Sequence, residues 1–195
     1  MIIPTYKNVE FLSELINSIE RNEYNSEYEV LVGIDFCYDT LNYVYENQFP
    51  SNFKFYFFTT NGGPYIIKNT LSEITQFDKI LFFDSDDMMM PQMLSEIDKN
   101  LDVFPVIKPK YINFEDVNGI RKYKEEKSQF GEGVFGIRKH LFLEMNGFEG
   151  WKVAADSDFM GRLYKTNTNI LHTQSVLFHR RSHENSLTKH PDTNL

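Results

Sequence analysis

Lys79-Ile80-Leu81-Phe82-Phe83-Asp84-Ser85-Asp86-Asp87 is the stretch on which the reading of this chain turns. The apolar run from Ile80 to Phe83 has the length and composition of a strand buried on both faces. It then ends abruptly in three carboxylates. Acids packed this closely repel and raise one another's pKa unless a cation neutralises them. Hard divalent ions such as Mg²⁺ and Mn²⁺ take oxygen ligands and bridge protein carboxylates to substrate phosphates. Asp84 and Asp86 are therefore candidate metal ligands. The plainer alternative is a solvated acidic turn that caps the next helix, with Asp87 near its start.

Outward from this strand, helical and extended patterns alternate. Met1-Ile2-Ile3 is a short apolar start stopped by Pro4. Leu12, Leu15, Ile16 and Ile19 recur at helical spacing and predict an amphipathic helix over 9–21. Strands are expected over 29–34 and 53–60, the latter stopped by Asn61-Gly62-Gly63-Pro64. Helices are expected around Leu41, over 66–75, and after Pro91. Beyond residue 100 the pattern is less regular, with strands over 106–112, 133–137 and 170–178 and helices over 139–145 and 156–164. Strands without apolar–polar alternation, spaced by helices, imply a mostly parallel sheet covered on both faces. In such sheets ligands bind at the carboxyl ends of the strands. Thr5-Tyr6, Asp35, Asn61-Gly62-Gly63 and Asp84-Ser85-Asp86-Asp87 each follow an early strand. They are expected to share one edge and assemble a cleft.

The chain has 195 residues, which suits one domain, and 20 basic against 28 acidic residues give a net charge of −8. An acidic surface argues against non-specific nucleic-acid binding. The stretch from His179 to His190 is locally basic, as a phosphate-binding patch or a solvated tail would be. The single cysteine, Cys37, excludes an internal disulfide. Met1 leads straight into Ile2-Ile3-Pro4 without a secretory leader pattern, and no apolar run is long enough for a membrane span. The expectation is a soluble cytoplasmic protein.

Together these pieces resemble the inverting family-2 glycosyltransferases of the GT-A fold, over nearly the whole chain. The opening Ile2-Ile3-Pro4-Thr5-Tyr6-Lys7-Asn8 is similar to that family's first strand and turn, and makes Pro4, Thr5 and Tyr6 donor-site candidates. Asp35 falls where the family has an acid that reads the nucleotide base. Asn61-Gly62-Gly63 with Lys68-Asn69 looks like the segment beneath the uridine. Asp84-Ser85-Asp86 is similar to the DxD, whose acids touch ribose and metal. The resemblance implies a single GT-A-like, Rossmann-like α/β domain over 1–195. Residues 1–100 would be its nucleotide-sugar-binding half, 101–178 its acceptor-side half, and 179–195 a C-terminal segment able to act as a lid. It implies a UDP-sugar donor, a hydroxyl acceptor such as a glycan, and Mn²⁺ or Mg²⁺. Two departures stand out. Asp35 is followed by Phe36-Cys37-Tyr38-Asp39 where the family has a second acid, and Ala155-Asp156 stands where it often has Glu-Asp.

A second segment, Asn146-Gly147-Phe148-Glu149-Gly150-Trp151 with Ala155-Asp156-Ser157-Asp158, looks like the acceptor side of the same family. Inverting transfer needs one base for the acceptor hydroxyl. By resemblance that is Asp156, with Asp158 second; the alternative is that Asp156 caps a helix. Trp151 fits a sugar platform or a core position. A third segment, His179-Arg180-Arg181-Ser182-His183, lies where related enzymes complete the metal shell with a histidine, which makes His179 and His183 candidates. Arg180 and Arg181 are suited to a diphosphate. Met88-Met89-Met90 reads as a flexible apolar plug and 121–127 as a solvated loop. Two rivals are weighed: a haloacid-dehalogenase-type phosphatase, whose first strand also ends in Asp-x-Asp, and a nucleotide-sugar-binding module without catalysis.

Overall fold

The computed structural model describes residues 1–124 and 133–184. Its first four strands are the expected apolar runs: β1 (Ile2–Thr5), β2 (Val30–Asp35), β3 (Phe53–Phe58) and β4 (Lys79–Phe82). They lie parallel in the order β3-β2-β1-β4. Helices α1 (Val9–Glu20), α2 (Tyr38–Glu46) and α3 (Pro64–Ile74) make the connections. All six residues of β2 are buried, which is why its sequence does not alternate. Adjacent residues go to opposite faces: Ile3, Val32 and Phe83 pack with α1, whereas Ile2, Leu31 and Phe82 pack with α3.

The second half adds β5 (Met88–Met89), α4 (Met93–Leu101), β6 (Val106–Val117), β7 (Ile120–Tyr123), β8 (Phe135–Arg138), α5 (Lys139–Glu144), α6 (Ala155–Lys165) and β9 (Ile170–Arg181). The sheet continues β4-β8-β6-β9-β5, with β7 paired to β6. β8 is antiparallel to β4 and β6, and β9 is parallel to β6. The described strands thus form one α/β sheet flanked by helices. No helix among the described residues is long and apolar enough to cross a membrane.

Three local expectations are corrected. β6 and β9 each run to 12 residues, past the ends read at 112 and 178, because their polar continuations pair with each other up to Phe114 and Arg181 and β6 then pairs with β7. The stretch read as a solvated loop from Arg121 begins inside β7. Asn118 and Gly119, both at positive φ (52° and 74°), make a two-residue hairpin turn of the kind Asn-Gly favours. Residues 125–127 of that stretch lie outside the described residues. Met88 and Met89 form a short strand against His179 and Phe178 and not a loose plug.

Below the future site, Phe82, Phe135, Phe142, Phe148 and Phe159 interlock, with ring centroids of neighbouring pairs 4.9–6.1 Å apart. Such pairs contribute about 0.5–1.5 kcal/mol each beyond area burial. They fasten α6 and the turn before it to β4 and β8, which sets where Asp156 can stand.

Candidate active site

The polar groups after the four parallel strands do share one edge, and hydrogen bonds join them in pairs. Asp35, at the end of β2, is buried, and its carboxylate accepts the N–H groups of Gly62 (2.9 Å) and Gly63 (3.0 Å) after β3. Thr5 donates to Asn8 Oδ1 at 2.7 Å, and Asn8 Nδ2 donates to Ser85 Oγ at 2.7 Å, so the turn after β1 is tied to the acidic turn after β4. Pro4 is the buried β1 residue beside Gly33, and Tyr6 projects outward, 45% exposed. Asn61 accepts from Lys152 at 3.4 Å. That bond brings the loop carrying Trp151 to the same rim. Trp151 is 53% exposed, so the core reading of this residue is not realised.

The acidic turn splits its carboxylates between two sides. Asp84 accepts from Lys68 Nζ at 2.9 Å; Lys68 also donates to the Gly133 carbonyl at 3.0 Å. The Lys68 side chain is 2% exposed and that of Asp84 40%, so a buried cation backs a carboxylate that still opens to the cleft. Asp86 Oδ2 faces the other way and shares a 2.9 Å hydrogen bond with His183 Nε2, whose ring packs on Phe11 at 5.0 Å. Asp87 is buried. Its carboxylate accepts the Arg181 N–H at 2.9 Å; burial, then the Asp86 and Asp84 carboxylates, hold its pKa well above the usual range. The capping alternative for Asp87 fails, since α4 begins only at Met93 without a side-chain cap.

Asp156 comes to this edge from the far half of the chain. It is half-buried in the first turn of α6, a helix whose cap residue is Ala154 in the left-handed region, with no side-chain cap bond. Its Oδ1 accepts from the Tyr65 hydroxyl at 2.8 Å and from the Ser157 N–H at 2.9 Å. Its Oδ2 points at Gly133. A Cβ on Gly133 would lie 3.2 Å from Asp156 Oδ2 and 3.1 Å from Asp84 Oδ2, so the two carboxylates flank one small gap that a larger residue would crowd. Asp158 is occupied elsewhere. Arg162 donates to it at 2.8 Å and also grips the carbonyls of Met145 and, at 2.6 Å, Gly147. Asn69 holds the same turn by two bonds to the Phe148 backbone, of 2.8 and 2.9 Å. There a side chain on Gly147 (φ 59°) would strike Asn69 at 2.6 Å.

The C-terminal candidates also separate. His183 meets Asp86; His179 does not. Its ring stacks edge-on against Tyr123 at 4.9 Å, and burial, with the nearby Arg121 charge, lowers its pKa. Arg180 lies over Tyr111 and near Asp87 and Asp84, whose charges together with Tyr111 outweigh the lowering effect of burial on its pKa. Arg181, expected beside it as a phosphate ligand, is buried and fully engaged. It donates to the Asp86 carbonyl at 2.9 Å, to Glu14 at 2.8 Å and to Asp116, and it is stacked between Phe11 and Phe114. The strand continues to Arg181, so 179–181 is no tail; of the lid expected over 179–195, residues 185–195 lie outside the described residues.

For a divalent cation the fitting pair is Asp86 and His183. Octahedral ligands about 2.1 Å from an ion sit about 3 Å apart when adjacent, close to the observed 2.9 Å separation. Among the described residues no group of three or more His, Cys, Asp or Glu converges. Such ions are commonly held by one or two protein groups with substrate phosphates and water completing the shell.

Sequence reasoning missed Asn8, Tyr65 and Gly133. Asn8 was quoted within a motif without a role. Tyr65 and Gly133 carry no local signal, because their meaning comes from Asp156, which is distant in sequence.

This arrangement is that of the GT-A glycosyltransferases: a parallel half that ends in a DxD turn, an antiparallel strand after it, and an acidic helix start facing the turn. The chain belongs to glycosyl transferase family 2, whose model matches residues 1–184. It is 32% identical over 120 residues to the poly(ribitol-phosphate) β-N-acetylglucosaminyltransferase TarS of Staphylococcus aureus, a stretch that is 58% of this chain and 21% of that protein. The crystal structure of S. aureus TarS 1-349 in complex with UDP-GlcNAc superposes with a TM-score of 0.76 at 25% identity, covering 94% of this chain and 58% of that one. The mannosyltransferase PcManGT from Pyrobaculum calidifontis, in complex with GDP-Man and Mn²⁺, shares the fold with a TM-score of 0.74 at 14% identity, over 95% and 57% of the two chains. The chain thus spans under two thirds of the length of these relatives.

Proposed function

We propose that this chain is an inverting, metal-dependent glycosyltransferase that moves a sugar from a UDP-sugar to an acceptor hydroxyl, with UDP-GlcNAc the first donor to test. The observation that carries the reading is the meeting of Asp84 and Asp156 across Gly133, with Asp86 beside His183 on the same turn. The donor rests on the relatives: TarS is named a β-N-acetylglucosaminyltransferase and has been crystallised with UDP-GlcNAc and with UDP. A β-linked product from an α-linked nucleotide sugar requires inversion. Residues 1–100 supply the donor side and 101–178 the acceptor side.

Asp156 takes the proton of the acceptor hydroxyl as that oxygen attacks the anomeric carbon. The bond from the anomeric carbon to the diphosphate oxygen breaks, and its electron pair leaves with UDP. Asp156 is suited to the task because it is half-buried and, although its Oδ1 accepts the Ser157 N–H and the Tyr65 hydroxyl, its Oδ2 opens onto the gap. Asp84, held by Lys68, lies across that gap from it and would serve the donor side, and Arg180, within reach of the Asp87 and Asp84 charges, would meet the diphosphate. Asp86 and His183 would hold Mn²⁺ or Mg²⁺. A bound divalent ion supplies neutralisation of the charge that develops on the leaving diphosphate.

The test is thermal stabilisation of the chain by a panel of nucleotide sugars, with and without Mn²⁺, followed by UDP release from those that bind. Metal-dependent stabilisation by UDP-GlcNAc or another UDP-sugar, with slow UDP release, is expected. Binding without any release would favour a non-catalytic module. Phosphate release from simple phosphoesters would favour the phosphatase rival.

A further inference from the structure

Asp156 presents its two oxygens to different surroundings. Oδ1 accepts from the Tyr65 hydroxyl and from the neighbouring Ser157 N–H, while Oδ2 faces the gap over Gly133, across from Asp84. Tyr65 is itself rigidly placed. It is buried in the first turn of α3, directly after Gly63 and Pro64, and its ring packs on Phe148 at 5.3 Å. Gly63 is held in turn by Asp35. A continuous path therefore runs from Asp35 at the donor edge, through the start of α3, to the carboxylate of Asp156. Burial and the Asp156 charge both push the phenol pKa far up, so the hydroxyl remains a donor.

We propose that Tyr65 is a positioning residue for Asp156: by engaging Oδ1 it leaves Oδ2 as the oxygen that receives the acceptor proton, with the acceptor hydroxyl seated in the glycine-walled gap over Gly133. This rests on the reading of Asp156 as the base and specifies how that base is aimed. A carboxylate in the first turn of a helix, half open to solvent, has several rotamers available; the Ser157 N–H binds it from its own helix, and the Tyr65 hydroxyl is the bond from outside that helix that selects among them. Because Tyr65 belongs to the same helix start that Asp35 anchors, the base is registered to the donor side and not only to its own helix.

The experiment is a double-mutant cycle on the full chain, read as hydrolysis of UDP-GlcNAc with Mn²⁺. Tyr65→Phe keeps the ring and its packing on Phe148. It is expected to lower turnover by on the order of 10–100-fold, since misplacement of a reacting group by about 1 Å can cost that much, with the dissociation constant for UDP-GlcNAc unchanged. In an Asp156→Asn background the same change should cost nothing further, because its whole effect passes through Asp156. Wild-type turnover in Tyr65→Phe, or an equal loss in both backgrounds, overturns the positioning role while leaving the base intact. Wild-type turnover in Asp156→Asn overturns the base reading itself. Crystal structures of the wild type and of Tyr65→Phe with UDP give the same decision without turnover: one Asp156 rotamer becoming several is expected, and one unchanged rotamer in the variant is the contrary result.

Discussion

Asp84 and Asp86 sit two residues apart in one turn, yet they live in different electrostatic settings. Asp84 leans on Lys68, a cation sealed inside the protein, whereas Asp86 leans on His183, an imidazole at the end of β9 and itself a residue type that binds metal. The difference teaches how a cluster of acids is divided. One carboxylate is tied to a buried lysine, and the other is hydrogen-bonded to a histidine at the cleft side of the C-terminal strand. Asp87, between the two and β9, is satisfied by backbone and kept out of the cleft.

The strongest test of this division lies across the gap from Asp84. Asp156→Asn should reduce turnover by on the order of 10²–10⁴-fold while UDP-sugar affinity stays nearly constant, because the base acts on the acceptor. Steady-state kinetics beside calorimetry decide it. If affinity collapses too, Asp156 belongs to the donor side and the comparison must be redrawn.

Next in size is the contrast within the turn itself. Asp86→Ala should weaken Mn²⁺-dependent UDP binding by more than about 100-fold, since even groups outside the ligand shell are worth 10–100-fold. Its stability should hardly change, because a carboxylate leaves a repelling cluster. Asp84→Ala should do the reverse to stability and cost about 1–3 kcal/mol. It strands the buried Lys68 charge, although the exposure of Asp84 reduces the loss below that of a fully buried pair. Equal denaturation midpoints for the two variants would remove the distinction between the two acids.

A smaller effect is expected at Gly133. An alanine there must push Asp84 and Asp156 apart by a few tenths of an ångström, and turnover should fall on the order of tenfold. Its backbone is not in the left-handed region, so the melting temperature should hold or rise slightly. A variant that loses stability and activity together would point to general damage and not to the gap.

The smallest effect separates the two histidines. The folded pKa of His179 lies below its ordinary 6.5, through burial and Arg121. The unfolded chain therefore takes the proton first, so the associated stability is complete above the unfolded pKa and declines as pH falls through it toward the lower folded value. Replacing His179 by Phe should flatten the fall in melting temperature between about pH 7 and pH 5.5. An unchanged slope would mean that His179 is not insulated from protonation as its packing against Tyr123 implies.

The first half of the molecule was far more legible than the second. β1 to β4 are short, apolar and bracketed by helices with clear apolar stripes, so their existence and parallel direction follow from pattern, with ends within about two residues of those observed. In the second half, β6 and β9 continue as polar strands supported by each other and by the short strands β7 and β5, and β7 is a charged edge hairpin. Hydrophobic periodicity is silent on both. The Asn118-Gly119 turn was the one local signal that would have revealed β7. In the site, a carboxylate after a buried strand can be recognised locally. That Arg181 is buried and bonded to the Asp86 carbonyl while Arg180 lies against Tyr111 follows from strand pairing, since successive residues point to opposite faces.

By itself the sequence indicated that four strand ends would bring Thr5, Asp35, Asn61-Gly62-Gly63 and Asp84 to Asp87 to one edge, because strands joined by helices run parallel and parallel strands end on the same side. It also put Asp156 at the start of a helix. Only the tertiary structure decided which groups meet. Tyr65 and Asp156 touch across 91 positions of sequence, and Asp86 and His183 across 97. Contacts of that range are set by how β8, β9 and α6 pack onto the parallel half, through side chains from both faces of the sheet at once. No window of local sequence holds both partners of such a pair, so pattern proposes the charged groups and packing selects their neighbours.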